Sequence, residues 1–221
     1  MNYIDILIII YAGFSCFQGY RRGFIKTLFD TLGVIIAFFL SRQFYYFTEN
    51  FLLNNTKLFF KVHDFFESKF SEKLIESFEE SVHIPAELKN VLSNIVDTGG
   101  VSGSDTFAVF VDNISIILVR SISFVITFLV IYAALVLLSN IINIVFKLPI
   151  LNLTNRLFGA GTGLLKSVIV LYIIFALSSP LIGFLQESKL AQGVLESESS
   201  KIFYDNNIIL NYLSYKGFFN N

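Results

Sequence analysis

Four long apolar runs, separated by short clusters of charge and one long polar stretch, organise this chain of 221 residues. They cover about 3–20, 23–44, 114–146 and 157–185. Within 114–146 the single charge is Arg120, and within 157–177 it is Lys166. Runs of ~20 apolar residues cross ~30 Å of hydrocarbon as helices, so each predicts a transmembrane span. The third run exceeds that length, which predicts strong tilt or extension beyond the bilayer. Pro149 ends it, because the residue before a proline is pushed out of the helical region. Pro180 supplies no N–H and predicts a kink or an end in the fourth run.

The stretch 48–106 has a different pattern. Leu58, Val62, Phe65 and Phe66 recur at helical spacing, and Phe70, Leu74, Phe78 and Val82 recur every four residues. Glu67, Glu72, Glu76, Glu79 and Glu80 fill much of the other face, an amphipathic pattern. Pro85 separates these turns from 87–96, and Gly99-Gly100-Val101-Ser102-Gly103-Ser104 reads as a link. Two or three short helices at the membrane surface or against the bundle are expected. A soluble binding module is the weaker alternative, since so short a segment has little core of its own. In the tail, Ile202-Phe203-Tyr204, Ile208-Ile209-Leu210 and Tyr212-Leu213 suggest one or two short amphipathic helices. The expected architecture is an all-α membrane protein: four transmembrane helices as two hairpins, plus amphipathic surface helices. Its parts are a hairpin (1–47), an acidic amphipathic segment (48–106), a second hairpin (107–185) and a tail (186–221), all one membrane domain.

Composition strengthens this reading. The chain is 54% hydrophobic and 15% charged, where a soluble domain carries about 25% charge. Net charge is −1, which gives no nucleic-acid signature. Cys16 is the only cysteine, so neither an intrachain disulfide nor a cysteine metal site is available. His63 and His83 are expected on solvated helix faces, with no metal or cofactor. At the N-terminus an acid, Asp5, precedes the apolar run and Arg21-Arg22 follows it. A secretory signal has the reverse order, so a retained first span is expected. Arg21, Arg22 and Lys26 mark one turn, and Lys147 and Arg156 bracket the other. Basic loops favour the cytoplasm, which places both termini and the acidic segment outside it.

The run Gly159-Ala160-Gly161-Thr162-Gly163-Leu164-Leu165-Lys166-Ser167 imitates a phosphate-binding loop but fails its template. That loop puts glycine directly before lysine, after a strand. Here two leucines intervene and no strand precedes, so no nucleotide is expected. Helices in lipid associate across small residues. Gly159, Gly163 and Ser167 are spaced by four, as are Gly33, Ala37 and Ser41, and both sets read as packing stripes. A hinge or substrate path at Gly159-Ala160-Gly161 is the functional alternative.

Asp5, Asp30, Arg120 and Lys166 are ionisable groups within spans, each a functional hypothesis by default. At 1.5 Å per residue, Asp30 and Lys166 both lie about 10–13 Å from the cytoplasmic end, which permits a salt bridge between them. Asp5 and Arg120 lie near the outer ends, a placement that permits them to pair likewise. The structural alternatives are an i,i+4 pair of Lys26 with Asp30, snorkelling of Lys166, and interfacial Asp5 and Arg120. The functional one is a polar pathway for an ion or small solute. No H-E-x-x-H, G-x-S-x-G or matched acid pair is present, so an enzyme is not expected.

Two stretches carry a family resemblance. Asp5 and an apolar run lead to Gly19-Tyr20-Arg21-Arg22-Gly23-Phe24-Ile25, with Gly33 and Ala37 beyond. Leu148-Pro149 leads to Asn155-Arg156-Leu157-Phe158-Gly159-Ala160 and Gly163-Leu164-Leu165-Lys166. In order, spacing and context they resemble the colicin V production (CvpA) family of bacterial inner-membrane proteins, over roughly 1–40 and 114–177. Thr154 and Ser167 are minor departures from its pattern. The matching positions are Arg21, Arg22, Gly23, Asn155, Arg156, Gly159, Gly163 and Lys166. The resemblance implies a multi-pass membrane protein associated with production or export of a peptide toxin and with envelope upkeep. No molecular activity follows from the resemblance itself; together with the packing stripes and amphipathic segments it leads to a non-enzymatic accessory or scaffold as the expected role, with the acidic segment and tail as contact surfaces. Its partners would be the lipid bilayer, its own copies or other envelope proteins, and it would take no cofactor. A small oligomeric transporter or channel is the alternative.

Overall fold

The computed structural model describes residues 2–69, 104–146, 153–184, 188–205 and 207–219. The repeat at 70–82, the turns at 87–96, most of the Gly/Ser link, Lys147-Leu148-Pro149 and His83 lie outside them. All elements among the described residues are helices: α1 (Tyr3–Arg22), α2 (Phe24–Asn55), α3 (Leu58–Lys69), α4 (Ser104–Phe146), α5 (Leu153–Phe184), α6 (Lys189–Glu196), α7 (Glu198–Tyr204) and α8 (Ile208–Tyr215). Four of them, α1, α2, α4 and α5, are long and apolar enough to cross a membrane.

Two of the expected boundaries move. α2 continues through the start of the polar stretch to Asn55, carried by Phe47, Phe51 and Leu52. α4 has 43 residues, which at 1.5 Å each is about 65 Å, twice the hydrocarbon thickness. Its spanning part is Val111–Leu138. Pro180 sits inside α5, which runs on to Phe184. The preceding turn is braced by hydroxyls, with Ser178 Oγ donating to the Ile174 carbonyl (2.8 Å) and Ser179 Oγ to that of Phe175 (2.7 Å).

The two halves of the chain interlock. α1 packs mainly on α5, and α2 on α4 and α5, while α1 and α2 touch little beyond their turn. That turn is a single residue, Gly23, at φ 80°, a region that L side chains disfavour. Outward faces are greasy, with Leu7, Phe14, Phe29 and Leu137 all exposed, as expected where lipid replaces water.

The tail is more than an amphipathic surface. It folds as three short helices capped by Ser188, Ser197 and Asn207, and it completes the core. Leu210, Leu213, Phe218 and Phe219 are buried among Val34, Phe38, Ile117, Phe124, Ile173 and Ala176. Ala191, Val194, Phe203 and Tyr204 close a second cluster with Ile8, Leu171 and Phe175. Burial pushes the Tyr204 phenol pKa up. Asn207 is buried, and its Nδ2 reaches the Tyr172 carbonyl of α5 at 2.9 Å.

Candidate functional site

The residues that carry the family resemblance converge where the α1–α2 turn meets the start of α5. Three glycines make the meeting possible. A Cβ on Gly19 would fall on the Gly159 carbonyl and lie 3.1 Å from the Gly163 Cα. One on Gly159 would lie 2.7 Å from the Gly23 carbonyl carbon. One on Gly163 would fall on the Ser15 carbonyl, 3.3 Å from the Gly19 Cα. The small residues of α5 thus face a second stripe on α1, Ser15, Gly19 and Gly23. The α1 stripe has the same spacing of four in the sequence, a signal that the Ser15, Gly19 and Gly23 positions carry as plainly as those of α5. Ser167 continues the α5 stripe, fully buried. On α2, Ala37 and Ser41 are fully buried. Gly33 differs, because a Cβ there would meet only the Tyr132 ring, at 3.9 Å. That is ordinary contact, and no close backbone approach depends on Gly33.

Side chains lock the same junction. Asn155 Oδ1 accepts the Phe24 N–H at 2.9 Å, serving one of the donors that a helix start leaves unpaired. Phe24 meets Phe158 edge-on at 5.9 Å between ring centroids. The Arg156 guanidinium lies over the Tyr20 ring and that of Arg21 over Phe17, each 5.9 Å from the centroid. Thr27 Oγ1 donates to the Gly23 carbonyl at 2.7 Å.

Neither of the two pairings that depth permits is formed. Asp30 pairs with Arg22 (2.6 Å), and neither Lys166 nor Lys26 is its partner. Asp30 lies about 10 Å along α2 from the turn, within reach of an arginine ending α1. Lys166 Nζ donates to the Tyr132 hydroxyl at 2.8 Å and lies 5.4 Å from the centroid of that ring. Phe128 stacks on Tyr132, with centroids 6.0 Å apart and ring planes 3° from parallel.

Asp5 and Arg120 do not pair either. Asp5 is buried, and its carboxylate accepts from Ser197 Oγ (2.6 Å), the Ser199 N–H (3.0 Å) and the Asn2 N–H (2.6 Å). A carboxylate at a helix start is favoured by the free N–H groups there, so Asp5 ties α7 to α1. Arg120 Nε donates to Glu49 (3.0 Å) and its Nη1 to the Phe218 carbonyl (2.8 Å). Glu49 escaped the sequence reading because the second span was ended before it. His63, expected on a solvated face, bridges α3 and α4, its Nε2 3.3 Å from Asp112. On its other side lie Glu67 (3.8 Å) and Asp64 (4.0 Å), both exposed.

At the far end from the glycines, α1 and α5 are separated by an apolar groove of about 610 Å³, lined also by α6. A smaller hollow of about 360 Å³ lies between α2 and α4 near Thr48 and Thr127. The arrangement as a whole clamps helices: small residues seat the backbones, and each in-span charge is bonded to its own fold. No curated protein and no solved structure matches the chain. The family model for colicin V production protein matches residues 4–200, and with that match spanning the glycine junction, the in-span charges and the start of the tail, the chain belongs to the colicin V production family.

Proposed function

We propose that the chain is a non-enzymatic accessory or scaffold protein of the bacterial inner membrane, acting in toxin production or export or in maintenance of the cell envelope. The observation that carries this reading is how the in-span charges are used. Asp5, Asp30 and Arg120 each bond to a neighbouring element of the fold, and Arg120 and Asp5 together fasten the tail. Charges that line a solute path would face a water-filled space, whereas these hold helices. Both termini and the polar segment lie outside the cytoplasm in this reading. Its support is the basic cluster of Arg21, Arg22, Lys26 and Arg156 at the opposite end.

A small oligomeric transporter is the second reading, favoured by Lys166, whose only bonded partner among the described residues is a neutral phenol. Complementation of a deletion strain separates the two. Asp30→Asn and Lys166→Ala are scored for envelope-stress tolerance and secreted protein, with membrane levels followed by blot. The scaffold reading expects function to track the amount of protein in the membrane. Variants that accumulate normally yet fail to complement would overturn it in favour of the pathway.

A further inference from the structure

The glycine junction holds α1 and α5 together at one end only. Backbones touch at Gly19, Gly159 and Gly163. Toward the tail the facing residues become large, Leu7 and Ile8 against Ile174 and Phe175, and the helices part to leave the groove of about 610 Å³. α6 crosses its head, adding Leu190 and Val194. This roof is fixed in place. Tyr3 Oη donates to the Lys189 carbonyl (2.7 Å), and Asn2 Nδ2 donates to the Gly193 carbonyl (2.8 Å). A Cβ on Gly193 would come within 2.5 Å of the Tyr3 ring, so α6 rests directly on that side chain.

The chemistry of the walls narrows the occupant. The three hydroxyls in the lining are engaged: Ser178 donates to the Ile174 carbonyl, Ser188 accepts from the Ala191 N–H, and Tyr11 is hydrogen-bonded with Ser15. Apolar cavities without free polar partners stay dry, and an unfilled gap forfeits the dispersion contacts of its walls. Both long walls are membrane spans, so the open side faces hydrocarbon, with Leu7, Ile174 and Leu190 exposed along the rim. Lys189 stands at the start of α6 with its side chain exposed. Its chain neighbours Ser188 and Leu190 line the head of the groove, where a lipid whose tail fills the space would present its phosphate. An ammonium beside a helix N-terminus complements that phosphate. We infer that the groove is a lipid site, seating one acyl chain of an anionic phospholipid from the leaflet on the side of the termini, with its headgroup on Lys189. The inference does not rest on the accessory role above.

The test uses the full chain in mild detergent, delipidated and then given equal phosphatidylglycerol and phosphatidylethanolamine, with bound lipid counted by native mass spectrometry. The wild type is expected to retain a single lipid, with phosphatidylglycerol preferred severalfold. Ser178→Phe fills the groove and is expected to reduce retention severalfold, while Leu137→Phe, on an exposed face of α4, leaves it unchanged. Lys189→Glu is expected to keep a lipid but lose the preference. An acyl-chain photoprobe on the wild type, which needs no variant to fold, is expected to label α1, α5 and α6 around the groove. Retention unchanged in Ser178→Phe, no lipid retained by the wild type, or labelling spread evenly over the exposed spans would each overturn the site. An unaltered preference in Lys189→Glu would overturn the headgroup assignment.

Discussion

Asn155, in the first turn of α5, accepts the backbone N–H of Phe24, the first residue of α2, at 2.9 Å. A side chain from one half of the chain thus caps a helix of the other half, at the one-residue turn where α1 gives way to α2. Losing such a cap costs about 1 kcal/mol. Asn155→Leu is expected to lower the thermal midpoint followed by helical circular dichroism in detergent. Asn155→Asp keeps an acceptor and adds a charge that the helix start favours, so it is expected to match or exceed the wild type. Equal loss in both variants would mean that the amide NH₂, and not the cap, matters.

The glycines give a contrast between positions that look alike in sequence. Gly19→Ala places a methyl on the Gly159 carbonyl. Neither atom can yield without parting α1 from α5, so a loss of about 1–3 kcal/mol or more is expected. Gly33→Ala meets only ordinary contact with Tyr132 and improves helix propensity by up to ~1 kcal/mol. It is expected to be neutral or mildly stabilising. The check is membrane accumulation and thermal stability of the two variants side by side, and a Gly33→Ala loss as large as that of Gly19→Ala would refute the assignment of the contact.

How much of this was legible in the sequence follows from what is local. The spans were, since ~20 apolar residues in a row need no partner to be recognised. The α5 stripe was, since a spacing of four is a property of one helix. Partners were not. Equal depth placed Asp30 level with Lys166, but depth says nothing about the direction in which each helix faces, and Arg22 reaches Asp30 first. Depth likewise permits Asp5 a partner on another span, whereas two of its three donors, Ser197 and Ser199, lie nearly two hundred positions away in the tail. The tail's burial was hidden for the same reason. Its pattern is that of a surface helix until the cleft that receives Leu210 and Leu213 is known.

Glu49 and Arg120 form a buried ion pair, with side chains 11% and 12% exposed. Removing one partner strands the other, at a cost of about 3–5 kcal/mol. Because Arg120 also holds the Phe218 carbonyl, Glu49→Ala is expected to loosen the tail as well as lower stability. Limited trypsin digestion of purified protein should then cut at Lys201 and Lys216 faster than in the wild type. The exchange Glu49→Arg with Arg120→Glu is expected to recover only part of the loss, since a glutamate at 120 cannot donate to the Phe218 carbonyl. Full recovery would show that the tail contact contributes little.

Lys166 and Tyr132 invert the usual expectation for a bonded pair. Lys166 lies about 20 Å along α5, well inside a span, where an ammonium costs about 2.5–3.5 kcal/mol on insertion scales. A single neutral hydroxyl at 2.8 Å offsets only part of that. Lys166→Met removes the charge while keeping the length of the stem, and is expected to be at least as heat-stable as the wild type in detergent. Tyr132→Phe removes the acceptor and leaves the ammonium, so it should be less stable than either. The double variant should return to the level of Lys166→Met, because without the charge the hydroxyl has nothing to stabilise. Were Lys166→Met instead the least stable of the three, the lysine would be part of the packing itself, and its presence in the span would need no function to account for it.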